Sequence, residues 1–402
     1  MAGTVSSPSR APVDPAELAR TLAPLGQAHI LPRAAYIDPG VAAWELEHFF
    51  DATWVVVGRS QAIASGSQRA VRAGTEQVLL TRDADGQLHA FFDVCRHRGH
   101  ELLPVGAEVR KRAIKCPYHA WAYGLDGSLR AAPRFDGGRD FDPGQFGLVP
   151  IRMQEWHGWI FVNPDGHAEP LDQYLGNLGE LVQDWEPERL VVAERHDYEV
   201  AANWKLIVEN YHECYHCPSI HPELCRVSPP DSSRDLVAQG MFAGGPMLLM
   251  DHAETMSLDG RSLGRPLPRL DPQRLREVHY FGVFPNLLIS LHPDYVMTHR
   301  LEPLGPGRSR IECEWLFAPE AIATQGFSPT YAAEFWDITN REDWDACEAV
   351  QRGVSSRGFR PGPLAGREST VYQFDTMIAR GYLLGRVHPP EPVDPPGEAR
   401  PG

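Results

Sequence analysis

Two short segments constrain this chain more than any other feature: Cys95-x-His97 and, after eighteen further residues, Cys116-x-x-His119. Each supplies one thiol and one imidazole, so the fold must bring two loops face to face around a shared metal group. Structural zinc also takes two Cys and two His, but zinc fingers usually present a Cys pair followed by a His pair. Here each loop carries one of each, an interleaving that favours a two-iron cluster gripped from both sides. When two thiolates hold one iron and two imidazoles the other, the reduction potential lies well above that of an all-Cys plant-type cluster. Gly99, Pro117 and Gly124 suit loops whose backbone approaches the cluster sulfurs and donates hydrogen bonds to them.

The surrounding texture agrees. From Trp54 to Asn163, short runs such as TWVVVG, QVLLTR, HAFFDV and GWIFVN alternate with Gly, Asp and Asn turns, the pattern of a small antiparallel β domain. Cys95-Arg96-His97-Arg98-Gly99 and Cys116-Pro117-Tyr118-His119-Ala120-Trp121 resemble the paired motifs of the Rieske iron–sulfur domain, over residues 54–163. The resemblance implies one 2Fe-2S cluster held by Cys95, His97, Cys116 and His119.

A chain of 402 residues has room for a second core. Its 38 Lys and Arg against 53 Asp and Glu give a net charge of −15, which argues against nucleic acid or an anionic membrane as the main partner. No apolar run reaches the length of about eighteen residues that a membrane span needs, and the first residues lack the apolar centre of a secretory signal. The expected compartment is the cytoplasm, where seven scattered cysteines do not suggest a disulfide framework. Residues 1–13, rich in Ser, Pro and Ala, and the Pro-rich tail 386–402 are expected to be disordered.

Residues 14–53 and 164–385 then form the second domain. A helix opens at Asp14, with Pro15 at its first position and Leu18, Leu22 and Leu25 on one side. Further helices are expected over Val41–Asp51, Leu171–Trp185 and Trp204–His216. They flank strand-like pieces such as LVVAERHDYEV, YFGVFPNLLISLH, YVMTHRLEP and RIECEWLFAP, so the fold class is α+β with an antiparallel sheet.

The segment NWKLIVENYHECYHCPSIHPELC concentrates His and Glu on what begins as an amphipathic helix. Mononuclear ferrous oxygenases need two His and one carboxylate on one side of the iron, leaving other positions for oxygen. Glu213-x-x-His216-x4-His221 resembles the catalytic motif of the Rieske-type aromatic-ring-hydroxylating oxygenases, alpha subunit. That resemblance implies a helix-grip, START-like catalytic domain, His216 and His221 as ligands of a mononuclear Fe(II), and Asn210 close to it. It also implies that Glu213 bridges the iron His of one subunit to a cluster His of the next in a homotrimer. Many members carry Asp at that position, so Glu213 is a departure.

For the third ligand, NREDWDACEAVQRG offers Glu342, Asp343, Asp345 and Glu348. Related oxygenases show an acid five residues before a Glu and eight before a Gln, which Asp343 satisfies with Glu348 and Gln351. Asp345 is the alternative, and a solvated helix face is the ordinary reading of such acids. His212 fits no ligand spacing and reads as a surface or packing residue. Cys214-x-x-Cys217 interleaves with His216 and reads as packing, as do Cys225, Cys313 and Cys347.

Two iron sites together imply stepwise reductive activation of O2, with electrons from NAD(P)H through a separate reductase or ferredoxin. No G-x-G-x-x-G fingerprint places the nicotinamide on this chain. Residues 57–165 hold 14 Lys and Arg against 12 Asp and Glu, and Arg110, Lys111, Arg112 and Lys115 form a basic run suited to docking an acidic donor. The stretches NWKLIVENYHECYHCPSIHPELCRV, FWDITNREDWDACEAVQRG and SSRGFRPGPL most resemble the glycine betaine demethylating branch, whose members act on quaternary ammonium compounds such as carnitine, choline and proline betaine. The reaction expected is monooxygenation of an N-methyl group, giving an unstable hemiaminal that releases formaldehyde. Dioxygenase-type ring hydroxylation or O-demethylation of an aromatic acid is the alternative. A quaternary ammonium donates no hydrogen bond, so its pocket needs aromatic faces; Tyr211, Tyr215, Phe281, Phe284 and Tyr295 are the candidates.

Overall fold

The computed structural model describes residues 10–136 and 141–392. The expected disorder of residues 1–9 and 393–402 lies outside the described residues. Two compact units divide the chain: Phe49–Leu171, and Met1–His48 together with Asp172–Gly402.

The first unit is built from small antiparallel sheets. Ser67–Ala73, Glu76–Arg82, Leu88–Phe92 and Glu108–Arg110 form one, and Val55–Arg59, Trp159–Asn163 and Arg152–Trp156 another. A third joins Ile114–Lys115, Ala122–Tyr123 and Leu129–Ala131, so that the Cys116 loop is the tip of a hairpin. Leu79, Phe91, Ile114, Trp121, Tyr123 and Leu148 pack around the two thiols of Cys95 and Cys116. Buried Asp93 accepts from the backbone N–H groups of Leu102 and Leu103 at 3.2 Å, closing the segment that contains the first loop.

The second unit centres on a six-stranded antiparallel sheet. In spatial order its strands are Val191–Val200, Arg308–Phe317, Tyr295–Gly305, Leu287–Leu291, Glu277–Val283 and Phe242–Leu248. YFGVFPNLLISLH is thus two strands, joined at Phe284–Asn286. The 25-residue helix Thr330–Val354 lays Ala332, Ala333, Phe335 and Trp336 onto Tyr295, Met297, Cys313 and Trp315 of the sheet. This α+β architecture is the class that the sequence implies.

Local signals explain two helix starts and one corrected end. Asp14 caps the helix Pro15–Thr21 by accepting from Ala16 N, and Asn203 caps Trp204–Tyr211 by accepting from Lys205 N. The second of these helices stops at Tyr211, not at His216. Beyond it the Glu213 carboxylate takes up the backbone N–H groups of Tyr215 and His216, turning the chain, and Pro218 starts a new helical turn over Cys217–Ile220. The same turn brings the Cα atoms of Cys214 and Cys217 to 4.9 Å, and their sulfurs are joined. That corrects the packing role expected for this pair, whereas Cys313 and Cys347 are core residues as expected.

The described parts of the two ends are packed rather than free. Ala11 and Val13 are buried and Ala11 N donates to Tyr382 O, while Pro390 is buried and Glu391 pairs with Arg380.

A buried polar network ties the Trp204–Tyr211 helix to both ends of its unit. Lys205 Nζ meets Glu45 at 2.6 Å, Trp204 Nε1 donates to Glu45 at 2.9 Å, and Tyr382 OH also reaches Glu45. Tyr36 OH donates to Glu209 at 2.8 Å. Withdrawal from water raises the Glu209 carboxyl to about 7, from an ordinary value of 4.5, and raises buried Asp375 beside it. The folded protein therefore keeps a proton that the unfolded chain has released, and stability falls as pH rises between about 4.5 and 7. Glu209→Gln removes this slope: the melting temperature of the variant relative to the parent should climb from pH 5 to pH 7.5, and a pH-independent difference would refute the assignment.

Candidate metal centres and active-site cavity

His216 and His221 lie on either side of the short helical turn Cys217–Ile220, and Asp343 faces them from the middle of the long helix. His221 Nε2 is 2.9 Å and His216 Nε2 3.3 Å from Asp343 Oδ1, and one donor atom from each of the three residues lies within 4.8 Å of the others. Behind each imidazole stands an acid: Glu213 at His216 Nδ1, and Glu342 at His221 Nδ1, 2.8 Å away. Both rings thereby have Nδ1 occupied and Nε2 turned inward, the arrangement that fixes metal-binding imidazoles. Asn210 Nδ2 donates to Asp343 Oδ1 at 3.0 Å.

The charges reinforce one another. Burial pulls the His216 imidazolium down, but Asp343 and Glu213 outweigh it and lift the group to about 9. Burial alone would raise Asp343; the two imidazoles instead hold its carboxyl below the ordinary range. Such a site favours a cation. Asp345 is exposed and lies 200° round the helix from Asp343 by helical geometry, so it does not face the imidazoles.

A cavity opens from this cluster, walled by Tyr211, Tyr280, Trp336 and Trp344, with Arg234 and Arg367 also on its lining. Of the five aromatic residues singled out in the sequence, only Tyr211 is on this wall. Phe281 and Tyr295 are buried in the core, and Phe284 lines a separate small cavity with Pro285 and Phe374. Tyr215 is exposed and lies under the Arg367 guanidinium, 5.3 Å from ring centre to carbon. The strand at 277–283 turns Tyr280, not Phe281, inward. His212 joins no ligand cluster, and burial pushes its imidazole down to about 3. It fits because residue 282 is glycine: a Cβ there would come within 2.4 Å of His212 Nε2.

In the other unit, the two ligand loops have matching backbones. Gly99 N donates to Cys95 O and Ala120 N to Cys116 O, with positive φ at both Gly99 and Ala120. The thiols of Cys95 and Cys116 are buried, while His97 and His119 lie half-buried with ring centres 4.5 Å apart. His97 stacks on Trp121, and its buried Nδ1 has no partner among the described residues, as befits an atom reserved for a metal. Tyr123 OH lies 3.3 Å from Cys95 Sγ and accepts from Arg96 N at 3.0 Å. No spacing rule pointed to Tyr123, but a hydroxyl at a ligand sulfur is a means of tuning a cluster.

A family model for the Rieske [2Fe-2S] domain matches residues 53–142, and one for the ring hydroxylating alpha subunit catalytic domain matches residues 187–383. The glycine betaine monooxygenase oxygenase subunit of Chromohalobacter salexigens is 32% identical over 400 residues, covering 88% of this chain and 86% of that protein. The chain belongs to the Rieske non-heme iron oxygenases. It is similar as well to the carnitine monooxygenase oxygenase subunit of Escherichia coli K12, at 39% identity over 339 residues covering 83% and 86% of the two chains. A crystal structure of the quaternary ammonium Rieske monooxygenase CntA superposes with a TM-score of 0.76 at 25% identity, covering 93% of this chain and 99% of that one.

As a Rieske oxygenase the chain has a 2Fe-2S domain and a non-heme iron catalytic domain, and the donors described above fit both groups. No described helix is long and apolar enough to cross a membrane. Asp343→Asn should lose the mononuclear iron while keeping the cluster's visible absorption; Asp345→Asn should keep both. Glu342→Gln should weaken iron binding by about 10- to 100-fold. Iron analysis against cluster absorbance decides, and full mononuclear occupancy in Asp343→Asn would contradict the geometry.

Proposed function

We propose that this chain is the oxygenase component of a two-component monooxygenase acting on a quaternary ammonium compound, with glycine betaine the first to test and carnitine, choline and proline betaine beside it. One observation carries the reading: an aromatic-walled cavity ends at His216, His221 and Asp343. Aromatic faces attract a cation that offers no hydrogen-bond donor, through the ring quadrupole. The names of the relatives support the same class.

His216, His221 and Asp343 would hold the mononuclear iron, and Cys95, His97, Cys116 and His119 would hold the cluster. Iron in this setting supplies reductive activation of dioxygen, with electrons delivered singly from the cluster. Tyr211, Tyr280, Trp336 and Trp344 hold the substrate cation so that an N-methyl group faces the metal, and exclude bulk water. Arg234 and Arg367 lie on the lining where they complement a substrate carboxylate. Asn210 steadies Asp343. One O2, two electrons and two protons convert the methyl group to a hydroxymethyl group and give water; the hemiaminal then separates into a tertiary amine, formaldehyde and a proton.

The electrons originate from NAD(P)H and arrive through a reductase or ferredoxin, for which Arg110, Lys111, Arg112 and Lys115, all exposed, form the docking patch. Glu213, already bonded to His216, extends to a cluster His of the neighbouring subunit in a cytoplasmic homotrimer.

Turnover with glycine betaine, carnitine, choline and an aromatic acid, scored by formaldehyde and oxygen uptake, tests the substrate class. A quaternary ammonium compound should give both signals in equal amounts, and oxidation of the aromatic acid alone would reject the proposal. Glu213→Gln should keep both metals yet slow reduction of the mononuclear iron by about tenfold or more in single turnover, as removal of such an outer partner does. An unchanged rate would remove Glu213 from the electron path.

A further inference from the structure

Among the residues that line the cavity, two buried side-chain atoms lack any partner among the described residues: His299 Nδ1 and Trp344 Nε1. Their neighbours decide what each can do. Asn340 Nδ2 donates toward Cys313 Sγ, 3.8 Å away, which leaves Asn340 Oδ1 as an acceptor facing His299 Nε2 at 3.1 Å. His299 Nε2 therefore carries the proton, and Nδ1 is a bare acceptor. Trp344 Nε1 can only donate. The two rings stand at right angles with centres 6.1 Å apart.

A quaternary nitrogen satisfies neither atom, and a carboxylate oxygen only the donor. A hydroxyl group satisfies both at once. We propose that His299 and Trp344 form a hydroxyl subsite, making this oxygenase selective for quaternary ammonium substrates that bear an alcohol. The inference rests on the quaternary ammonium reading and orders the compounds within it: carnitine and choline above glycine betaine. A buried acceptor and donor left unpaired by a hydroxyl-free ligand penalise that ligand, whereas the alcohol restores both bonds.

L-Carnitine and γ-butyrobetaine differ by one hydroxyl and suit the test. With iron-loaded protein, anaerobic calorimetry should give L-carnitine a Kd lower by about tenfold or more, two hydrogen bonds being at stake. His299→Phe keeps the ring and removes the acceptor; Trp344→Phe removes the donor. Each should bring the ratio of the two Kd values toward one. Equal affinities in the parent protein, as when a water fills the subsite with either ligand, would overturn the subsite and leave the quaternary ammonium class standing. A ratio retained in the variants would also overturn it, and if His299→Phe does not fold, Trp344→Phe decides alone. Failure of both compounds to bind while glycine betaine binds would overturn the subsite alone; failure of all three would reject the substrate class, and the subsite with it.

Discussion

The site depends on an antiparallel meeting of two helices of unequal length. Gln351 Oε1 accepts from Asn203 N at 2.8 Å and Glu348 from Ala201 N at 3.0 Å, which fixes where the Trp204–Tyr211 helix begins. Eight residues back along the long helix, Asp343 meets Asn210 at the other end. Eight residues of α-helix span about 12 Å, the length of the short helix itself. The spacing of Asp343, Glu348 and Gln351 is therefore a ruler. It sets the short helix in register, so that the turn leaving it delivers His216 and His221 to the carboxylate 122 residues away from the second of them.

This explains why the cluster of His216, His221 and Asp343 was legible in the sequence and the cavity wall was not. Iron chemistry demands particular residue types, and His216, His221 and Asp343 stand out wherever the chain places them. An aromatic wall demands only a face, and strand faces alternate with every residue. Shifting from Phe281 to Tyr280 is the smallest possible error in position and moves the side chain from core to cavity. The role of Glu342 escaped for a related reason: among the candidate acids it looks like one more surface carboxylate, and only the fold shows His221 within its reach. The helix end at Tyr211 likewise depends on a side chain, Glu213, competing with the helix for backbone N–H groups, which periodicity does not register.

The cluster unit shows the opposite balance. Its two Cys–His loops were readable as loops because the residue types and the backbone geometry coincide in them. Gly99 takes a positive φ at little cost, whereas Ala120 adopts the same conformation with a side chain attached. That conformation is held by the bond from Ala120 N to Cys116 O and by the hairpin on which the loop sits. Tyr123, on the second strand of this hairpin, carries a hydroxyl to the Cys95 sulfur and so links the two loops through hydrogen bonds that no spacing within either motif encodes.

The missing side chain at Gly282 bears on the shape of the cavity from the far side. His212 lines the chamber and stands against that glycine, so any carbon added there would force the imidazole to shift. A single methyl group on the sheet would displace the imidazole and so change the chamber without touching His216, His221, Asp343 or the aromatic wall. The shape of the chamber in this chain can thus drift through a position one layer removed from His216, His221 and Asp343, leaving those side chains and the aromatic faces as they are.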